Sequence, residues 1–489
     1  MNPRPRPRDT RALVAIDLGA ESCRVSLLRW QSGSPDISLV HRCANSAVES
    51  GGGLRWDLDR ILGELYRGLA MCASIAEEGI RSIGVDGWAV DYVRLGADGK
   101  PLANPFCYRD TRTKAAEAAL MERISSKRMR ELTGVQIAPL NTVYQHFADS
   151  AEHQRTPWLN LPEYVLYWLG GRPVAELTNA THTQMVGLDG KWSQEIFGAA
   201  GWNIEHAPEI VRPGTTVGDL SGHLKAFSPF QETKLIAPCC HDTASAIAAV
   251  PDTRNDWAYI SSGTWSLVGT LLDSPNNSAE SCAANFTNLG AAEGRICFHK
   301  SVNGMWLLQQ CIQQWSTENN HVNLPSLIET ARSFPEKSFV LDLDDPDLLL
   351  PGDMPQRINA QLRRRGLPEF SVAAADAPEL ASFLFRSLAA RYADVLAQIA
   401  RITGKAFGRV YMLGGGSQNE FLNELTANAT GLPVVRAGTE GSTIGNLAVQ
   451  LATLESEEFP KVAYWAGILA GTIVAPSPAA TRERVRAKD

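Results

Sequence analysis

The sequence has no apolar stretch near the roughly 20 residues that a membrane helix needs, no CxxC pair and no excess of positive charge. The first absence excludes an ordinary helical span. The second removes the commoner zinc and dithiol motifs; the nine scattered cysteines, an odd number, imply reduced thiols rather than a disulfide framework. The third bears on partners. With 46 Lys and Arg against 53 Asp and Glu the formal net charge is -7, which argues against nucleic acid and against an anionic membrane surface. The stretch from Met1 to Thr10 is rich in Pro and Arg and lacks the apolar region of a secretory signal, so a disordered lead-in to a cytoplasmic protein is expected. The tail from Ala479 to Asp489 is expected as a charged surface helix or a frayed end.

At 489 residues, 44% hydrophobic and 20% charged, the chain has the composition of a soluble globular protein and is too long for one ordinary core. A short pattern occurs twice. Val14 to Leu28 and Ala258 to Leu272 each hold an apolar strand, a tight turn of Gly and small hydroxyl residues, and a second apolar strand. Such turns expose backbone N–H groups and small hydroxyls, which suit a phosphate chain. The copies differ at Asp17 and Ser261, so the first is expected to reach a metal ion and the second mainly phosphate oxygens. The polar stretch Val250 to Asp256 precedes the second copy, and the chain is expected to divide there, into domains 1–250 and 251–489. Strands alternate with helical patterns in both halves, which predicts two α/β lobes. A 27-residue helix from Ala377 to Thr403, with Asp376 as its cap, is predicted from helical spacing.

Four constellations carry chemistry. Asp17 ends a buried strand two residues before Gly19, where a carboxylate can reach Mg²⁺ through waters or simply cap the turn. Cys240, His241, Asp242 and Thr243 open an Ala-rich helix. There Asp242 can serve as N-cap, or can accept the proton of an attacking sugar hydroxyl. Gly414, Gly415 and Gly416 follow a strand and precede a helix, so a ring or phosphate can approach the backbone. Asp86, Trp88, Asp91 and Tyr92, with Tyr108 to Arg112, suit a polyol with Trp88 stacked on a sugar face, or form an Arg–Asp surface network.

Together with Asn285 to Asn288, Ala292 to Gly294 and Trp306 to Gln309, these motifs fall in an order that resembles the FGGY family of carbohydrate kinases, from about Leu13 to about Leu454. The resemblance implies two actin-like (ribonuclease-H-like) domains with the active site in the cleft between them. The first would bind mainly sugar and the second mainly ATP. It implies ATP-dependent phosphorylation of a ketose at O1, L-rhamnulose before other ketoses such as L-fuculose; a non-enzymatic actin-like ATP switch is the rival from another class. It implies Asp242 as general base, with His241, Thr243, Ala89 and Ser301 on the sugar. Ala20, Glu21, Ser22, Cys23, Arg24, Thr264, Gln309, Gly415 and Gly416 would bind ATP, with Mg²⁺ near Asp17. Two positions depart from the family pattern: Ala89 stands for a glycine against the sugar and Ser301 for an asparagine. Both are on the substrate side, so sugar identity is what they affect. The oligomeric state is not legible.

Overall fold

The computed structural model describes residues 7–316, 322–438, 440–455 and 461–470. The Pro-Arg stretch up to Arg6 and the tail from Ala479 lie outside them. Of the expected lead-in, Asp9 is held in place, 2.7 Å from Arg11 and 3.5 Å from Arg81.

Two six-stranded sheets organise the chain. In the first, Ala12–Leu18 pairs antiparallel with Ser22–Gln31 and parallel with Ile80–Gly87. Ser34–Ala44 extends one side, and Lys234–Ala237 the other as a further parallel strand. In the second, Trp257–Ser262 pairs antiparallel with Trp265–Leu272 and parallel with Arg409–Leu413. Ile296–Asn303 and Val434–Arg436 extend it in the same sense. Each sheet thus contains the same five-strand unit, and each adds one antiparallel strand at opposite edges: Thr215–Asp219 in the first, Thr287–Gly290 in the second. This is the two-lobed ribonuclease-H-like architecture that the sequence implies.

Local structure follows the patterns. The central strand Ala12–Leu18 is buried along its whole length, as expected of a strand covered on both faces. The helix Leu58–Ile75 crosses Ser22–Gln31 and Ser34–Ala44 and buries Leu58, Ile61, Leu65 and Leu69 in the core of the first sheet, and Asp57 caps it through Arg60 N. Met71, an apolar residue of the same helix, is 44% exposed, because at about 3.6 residues per turn it falls on the side opposite Leu58, Leu65 and Leu69. Two short helices follow, Thr113–Met121 and Ser126–Thr133, the second capped by Ser125. The helix Ala377–Thr403 is continuous and ends on Gly404 in the left-handed region, although Asp376 makes no side-chain cap bond.

The lobes meet through two helices. Asp242–Ala248 follows the first sheet. Gly441–Leu454 follows the second sheet in sequence but packs on the first, where Ile444, Leu447 and Leu451 join Leu13 and Ala15 in one buried cluster. The helices touch backbone to backbone: a Cβ at Gly445 would lie 1.7 Å from the Ser245 carbonyl oxygen. Among the described residues no helix is long and apolar enough to cross a membrane.

Gly445→Ala is therefore expected to destabilise by about 2–3 kcal/mol or more, because both sides of the clash are backbone. Gly63 lies in the helix Leu58–Ile75, and a Cβ there would meet nothing within 4 Å. Gly63→Ala is expected to stabilise by about 0.5–1 kcal/mol. Denaturant midpoints of the two variants check this; equal midpoints would contradict the packing argument.

Candidate active site

Three adjacent parallel strand ends build the centre of the site. Asp17 sits opposite Asp86 in the parallel register of the first sheet, and Leu18 opposite Gly87. Gly87 N–H donates to the Cys240 carbonyl at 3.0 Å, and Trp88 N–H to the Leu18 carbonyl at 3.0 Å. The three chain segments are thereby locked side by side at their carboxyl ends, where open α/β sheets bind ligands. They carry Asp17, Asp86 and Asp242.

Each carboxylate has a different environment. Asp17 is buried; its Oδ2 accepts from Arg24 Nη1 at 2.9 Å and from Ser442 Oγ at 2.8 Å. Asp86 is fully buried and accepts from Asn446 Nδ2 at 2.6 Å through Oδ2, while its buried Oδ1 has no partner. Its pKa is driven well above the ordinary carboxylate range by burial, then by the charges of Asp17 and Asp242. Asp242 keeps 35% of its side-chain surface open to the cleft. Desolvation by the cleft walls, then the charge of Asp17, push it up to about 7. Asp242 is the first residue of its helix rather than the cap. His241 occupies the cap position, so the Asp242 carboxylate is free of a capping role.

The loop carrying Asp242 is held from behind. Glu176, fully buried, accepts from Cys240 N at 2.8 Å and from Thr178 N at 2.9 Å. Thr178 Oγ1 accepts from His241 N at 3.2 Å. Glu163, also fully buried, accepts from Glu176 N at 3.0 Å and Asn179 Nδ2 at 2.8 Å. Burial raises Glu163 to about 7 and Glu176 to about 8. His241 Nδ1 faces His182 Nε2 at 3.1 Å, and its Nε2 lies 3.3 Å from Asp242 Oδ1. Burial keeps His182, His241 and His299 neutral, the last two near 3. Neutral imidazoles add polarity beside Asp242 without adding charge. The Thr243 hydroxyl donates to Asp242 Oδ1 at 3.1 Å.

Of the residues expected on the sugar, Ala89 is half-buried directly after the locked strand end. The next residue, Val90, has φ 73°, a conformation β-branched residues rarely adopt. Thr142 Oγ1 and Gln145 Nε2 hold its carbonyl at 2.8 and 3.2 Å, so local strain fixes where Ala89 stands. Ser301 shares a strand face with His299, two residues away, and is half-buried.

The phosphate-binding candidates divide. Ala20, Glu21 and Arg24 are open or half-open at the first hairpin turn. Ser22 and Cys23 are not: Ser22 Oγ accepts from Arg42 at 3.2 Å, and the Cys23 side chain is in the core. Thr264 is half-buried in the second turn, whose carbonyls accept from Met305 N and Trp306 N at 2.9 and 3.2 Å. Gln309 is exposed on the helix Trp306–Trp315. Gly415 is exposed with nothing within 4 Å of a Cβ, whereas a Cβ on Gly416 would lie 2.1 Å from Ser262 Oγ. Gly416 is thus required by packing of the glycine turn on the second hairpin, and Gly415 faces open space.

The expected polyol cluster is corrected by the structure. Trp88 is buried 4.6 Å from Trp56, and both indoles donate to Asp91 Oδ2, at 2.9 and 2.6 Å. Arg112 and Arg94 converge on Asp149 at 2.7 and 2.9 Å. Trp88 and Asp91 therefore have no free face for a sugar, whereas Tyr108 is half-buried and Arg109 exposed. Neither is the Arg–Asp network a surface one, because Asp149 keeps only 5% of its side chain exposed. His182, Glu163, Glu176, Ser442 and Asn446 carry no signal in the sequence. Their buried polar pairing depends on which segments meet.

Comparison with known proteins settles the family. Models of the FGGY family of carbohydrate kinases match residues 12–249 (N-terminal domain) and 258–454 (C-terminal domain). The chain belongs to this family. A rhamnulokinase from Bacteroides thetaiotaomicron is 35% identical over 446 residues, 90% of each chain. In fold, the chain is similar to a ligand-bound xylulose kinase from Lactobacillus acidophilus, with TM-score 0.77, 16% identity and coverage of 97% and 96%. It is also similar to a Plasmodium falciparum glycerol kinase with ADP, with TM-score 0.72, 13% identity and the same coverage. This FGGY kinase is thus an ATP-dependent sugar phosphotransferase, with ATP as one substrate and a sugar as the other.

Glu176→Gln in this kinase places an NH₂ where a side-chain oxygen now accepts from the backbone N–H of Cys240 or of Thr178. It is expected to lower kcat on the order of 10- to 100-fold by displacing the Cys240–His241 backbone. KM for ATP should stay unchanged, and steady-state kinetics with both substrates varied checks it.

Proposed function

We propose that the chain transfers the γ-phosphoryl group of ATP to O1 of L-rhamnulose, with Asp242 as general base. The observation that carries this reading is the Asp242 carboxylate itself. It stands at the mouth of the cleft, opens to it, and has a pKa pushed up to about 7, close to that of an efficient base at neutral pH. The likeness to a protein named rhamnulokinase supports the choice of sugar.

In this reading the sugar lies on domain 1–250 against Ala89, and Ser301 meets it from the other lobe. His241 and Thr243 orient the O1 hydroxyl, and Asp242 takes its proton as the oxygen attacks phosphorus in line. ATP lies mainly on domain 251–489, along Thr264, Gln309 and the open Gly415. The turn Ala20 to Arg24 meets its phosphates, Ser22 and Cys23 through backbone alone. Gly416 acts by shaping the turn. Asp17 and Asp86 would hold Mg²⁺, and the unpartnered, buried Asp86 Oδ1 is the hard oxygen such an ion fits. The bound ion supplies charge neutralisation to the phosphate oxygens. The products are ADP and the ketose 1-phosphate, and the need for ATP suits a cytoplasmic reaction.

ADP release with Mg²⁺-ATP across L-rhamnulose, L-fuculose, L-ribulose, L-xylulose and a sugar-free control tests the substrate. L-rhamnulose is expected to give the highest kcat/KM. A higher value for another ketose overturns the assignment, and sugar-independent release overturns the transfer reading. Asp242→Asn is expected to lower kcat about 10²- to 10⁴-fold with ATP binding retained. A protonated Asp242 cannot accept a proton, so kcat/KM should fall about tenfold per pH unit below about 7. A flat profile between pH 5 and 7, on an order-of-magnitude scale of rate, would exclude Asp242 as the base.

A further inference from the structure

On the sheet face away from the lobe interface, the pairing of Ser22–Gln31 with Ser34–Ala44 sets Cys23 against Cys43 and Val25 against His41. Residues two apart on a strand share a face, so His41 and Cys43 project together. The helix Leu58–Ile75 crosses that face, and its Glu64 Oε2 lies 2.7 Å from His41 Nε2. One ligand atom each from His41, Cys43 and Glu64 lies within 4.8 Å of the other two, and all three residues are half-buried. They open onto a surface hollow shared with Tyr66 and Met71, which gives an entry path. No step of phosphoryl transfer uses them.

We propose that His41, Cys43 and Glu64 form a binding site for Zn²⁺, separate from the carboxylate centre. An imidazole, a thiolate and a carboxylate make a borderline-soft donor set that favours Zn²⁺ over Mg²⁺ or Ca²⁺. A tetrahedral zinc centre with metal–ligand bonds of about 2.0–2.3 Å holds its ligand atoms about 3.3–3.8 Å apart; His41 Nε2 and Glu64 Oε2 would part from 2.7 Å to admit the ion, and the Cys43 sulfur already lies within 4.8 Å of both. The ion takes the place of the His41–Glu64 hydrogen bond, and a water from the hollow completes the fourth position.

The surroundings fit. Arg67 Nη1 bonds Glu64 Oε1 at 2.7 Å and leaves Oε2 for the ion. The other nearby guanidinium groups are turned elsewhere: Arg60 onto the Ala44 carbonyl at 2.7 Å and Asn45 Oδ1 at 3.1 Å, Arg42 onto Ser22 Oγ at 3.2 Å. Binding replaces the Cys43 thiol proton, which leaves to solvent, so no oxidant or reductant takes part. The ion would tie the helix to the strand beside the first hairpin.

The test is titration of the full-length chain, kept reduced by a phosphine, with Co²⁺ as the spectroscopic substitute for Zn²⁺. The expected result is a near-ultraviolet thiolate-to-cobalt charge-transfer band that saturates at one Co²⁺ per chain and is abolished by added Zn²⁺. Cobalt on the Asp17, Asp86 and Asp242 carboxylates gives no such band, so the two sites are told apart. Cys43→Ser should lose the band while sugar-dependent ADP release is unchanged, which shows the variant folded. His41→Asn and Glu64→Gln should weaken Co²⁺ binding at least tenfold, and they carry the test if Cys43→Ser does not fold. Absence of the band in the parent protein, or its persistence in Cys43→Ser, overturns the proposal.

Discussion

The close approach of Gly441–Leu454 to Asp242–Ala248 is the contact on which the rest of the active centre depends. It brings a helix from the second half of the sequence onto the first sheet. Ser442, Asn446 and Gln450, spaced four apart, then form one polar ladder on a largely apolar helix. The ladder meets Asp17 through Ser442, Asp86 through Asn446, and both Ser82 Oγ at 2.6 Å and the Val14 carbonyl at 3.0 Å through Gln450. A side chain at Gly84 would strike it: a Cβ there would lie 2.4 Å from Asn446 Oδ1 and 2.6 Å from Gln450 Nε2. Helix thus meets helix at backbone distance, and the ladder's side chains lie directly on the strand backbone; glycine allows each.

Three carboxylates in one desolvated cleft repel one another, and among the described residues Arg24 is the cation seen to pair directly with one of them. The ladder responds with neutral donors, which satisfy oxygens without cancelling charge. The cluster therefore keeps a deficit of positive charge, expressed in the raised pKa values of Asp86 and Asp242. Magnesium would relieve that deficit, as it would the charge of the phosphates. The same field that destabilises the empty cluster makes Asp242 a stronger proton acceptor, because charge from Asp17 favours its protonated form.

The fold was legible where periodicity and turn chemistry are local. The paired hairpins, the strand Arg409–Leu413 and the helix Ala377–Thr403 follow from hydrophobic spacing and the residues that bound it. The carboxylates at strand ends were visible as types at positions. The partners of those carboxylates were not. Nothing in the spacing of Ser442, Asn446 and Gln450 names Asp17 or Asp86, since the contact exists only once two lobes are packed. The polyol reading of Trp88 and Asp91 failed for the opposite reason. A Trp, a carboxylate and guanidinium groups near a strand end look alike whether they face a ligand or brace one another, and burial decides between them.

The two lobes repeat one five-strand unit, yet chemistry gathers on one of them. At the position of Asp17 the second lobe has Ser261, and beside it, where the first sheet sets Asp86, stands Leu413. The second unit thus lacks the pair of carboxylates that would repel phosphate and ends instead in Thr264 and the glycine turn. Its added strand, Thr287–Gly290, grows from the edge that faces the first lobe: Gly290 N–H donates to Thr181 Oγ1 at 3.0 Å, and Asn288 N–H to the Gly134 carbonyl at 3.0 Å. That strand follows the seam next to His182 and His299, behind Asp242. The two hairpin turns thus share a backbone shape but differ in charge: the first carries Asp17 beside Asp86, and the second, beside Ser261 and Leu413, is neutral, with an added edge strand that reaches the first lobe.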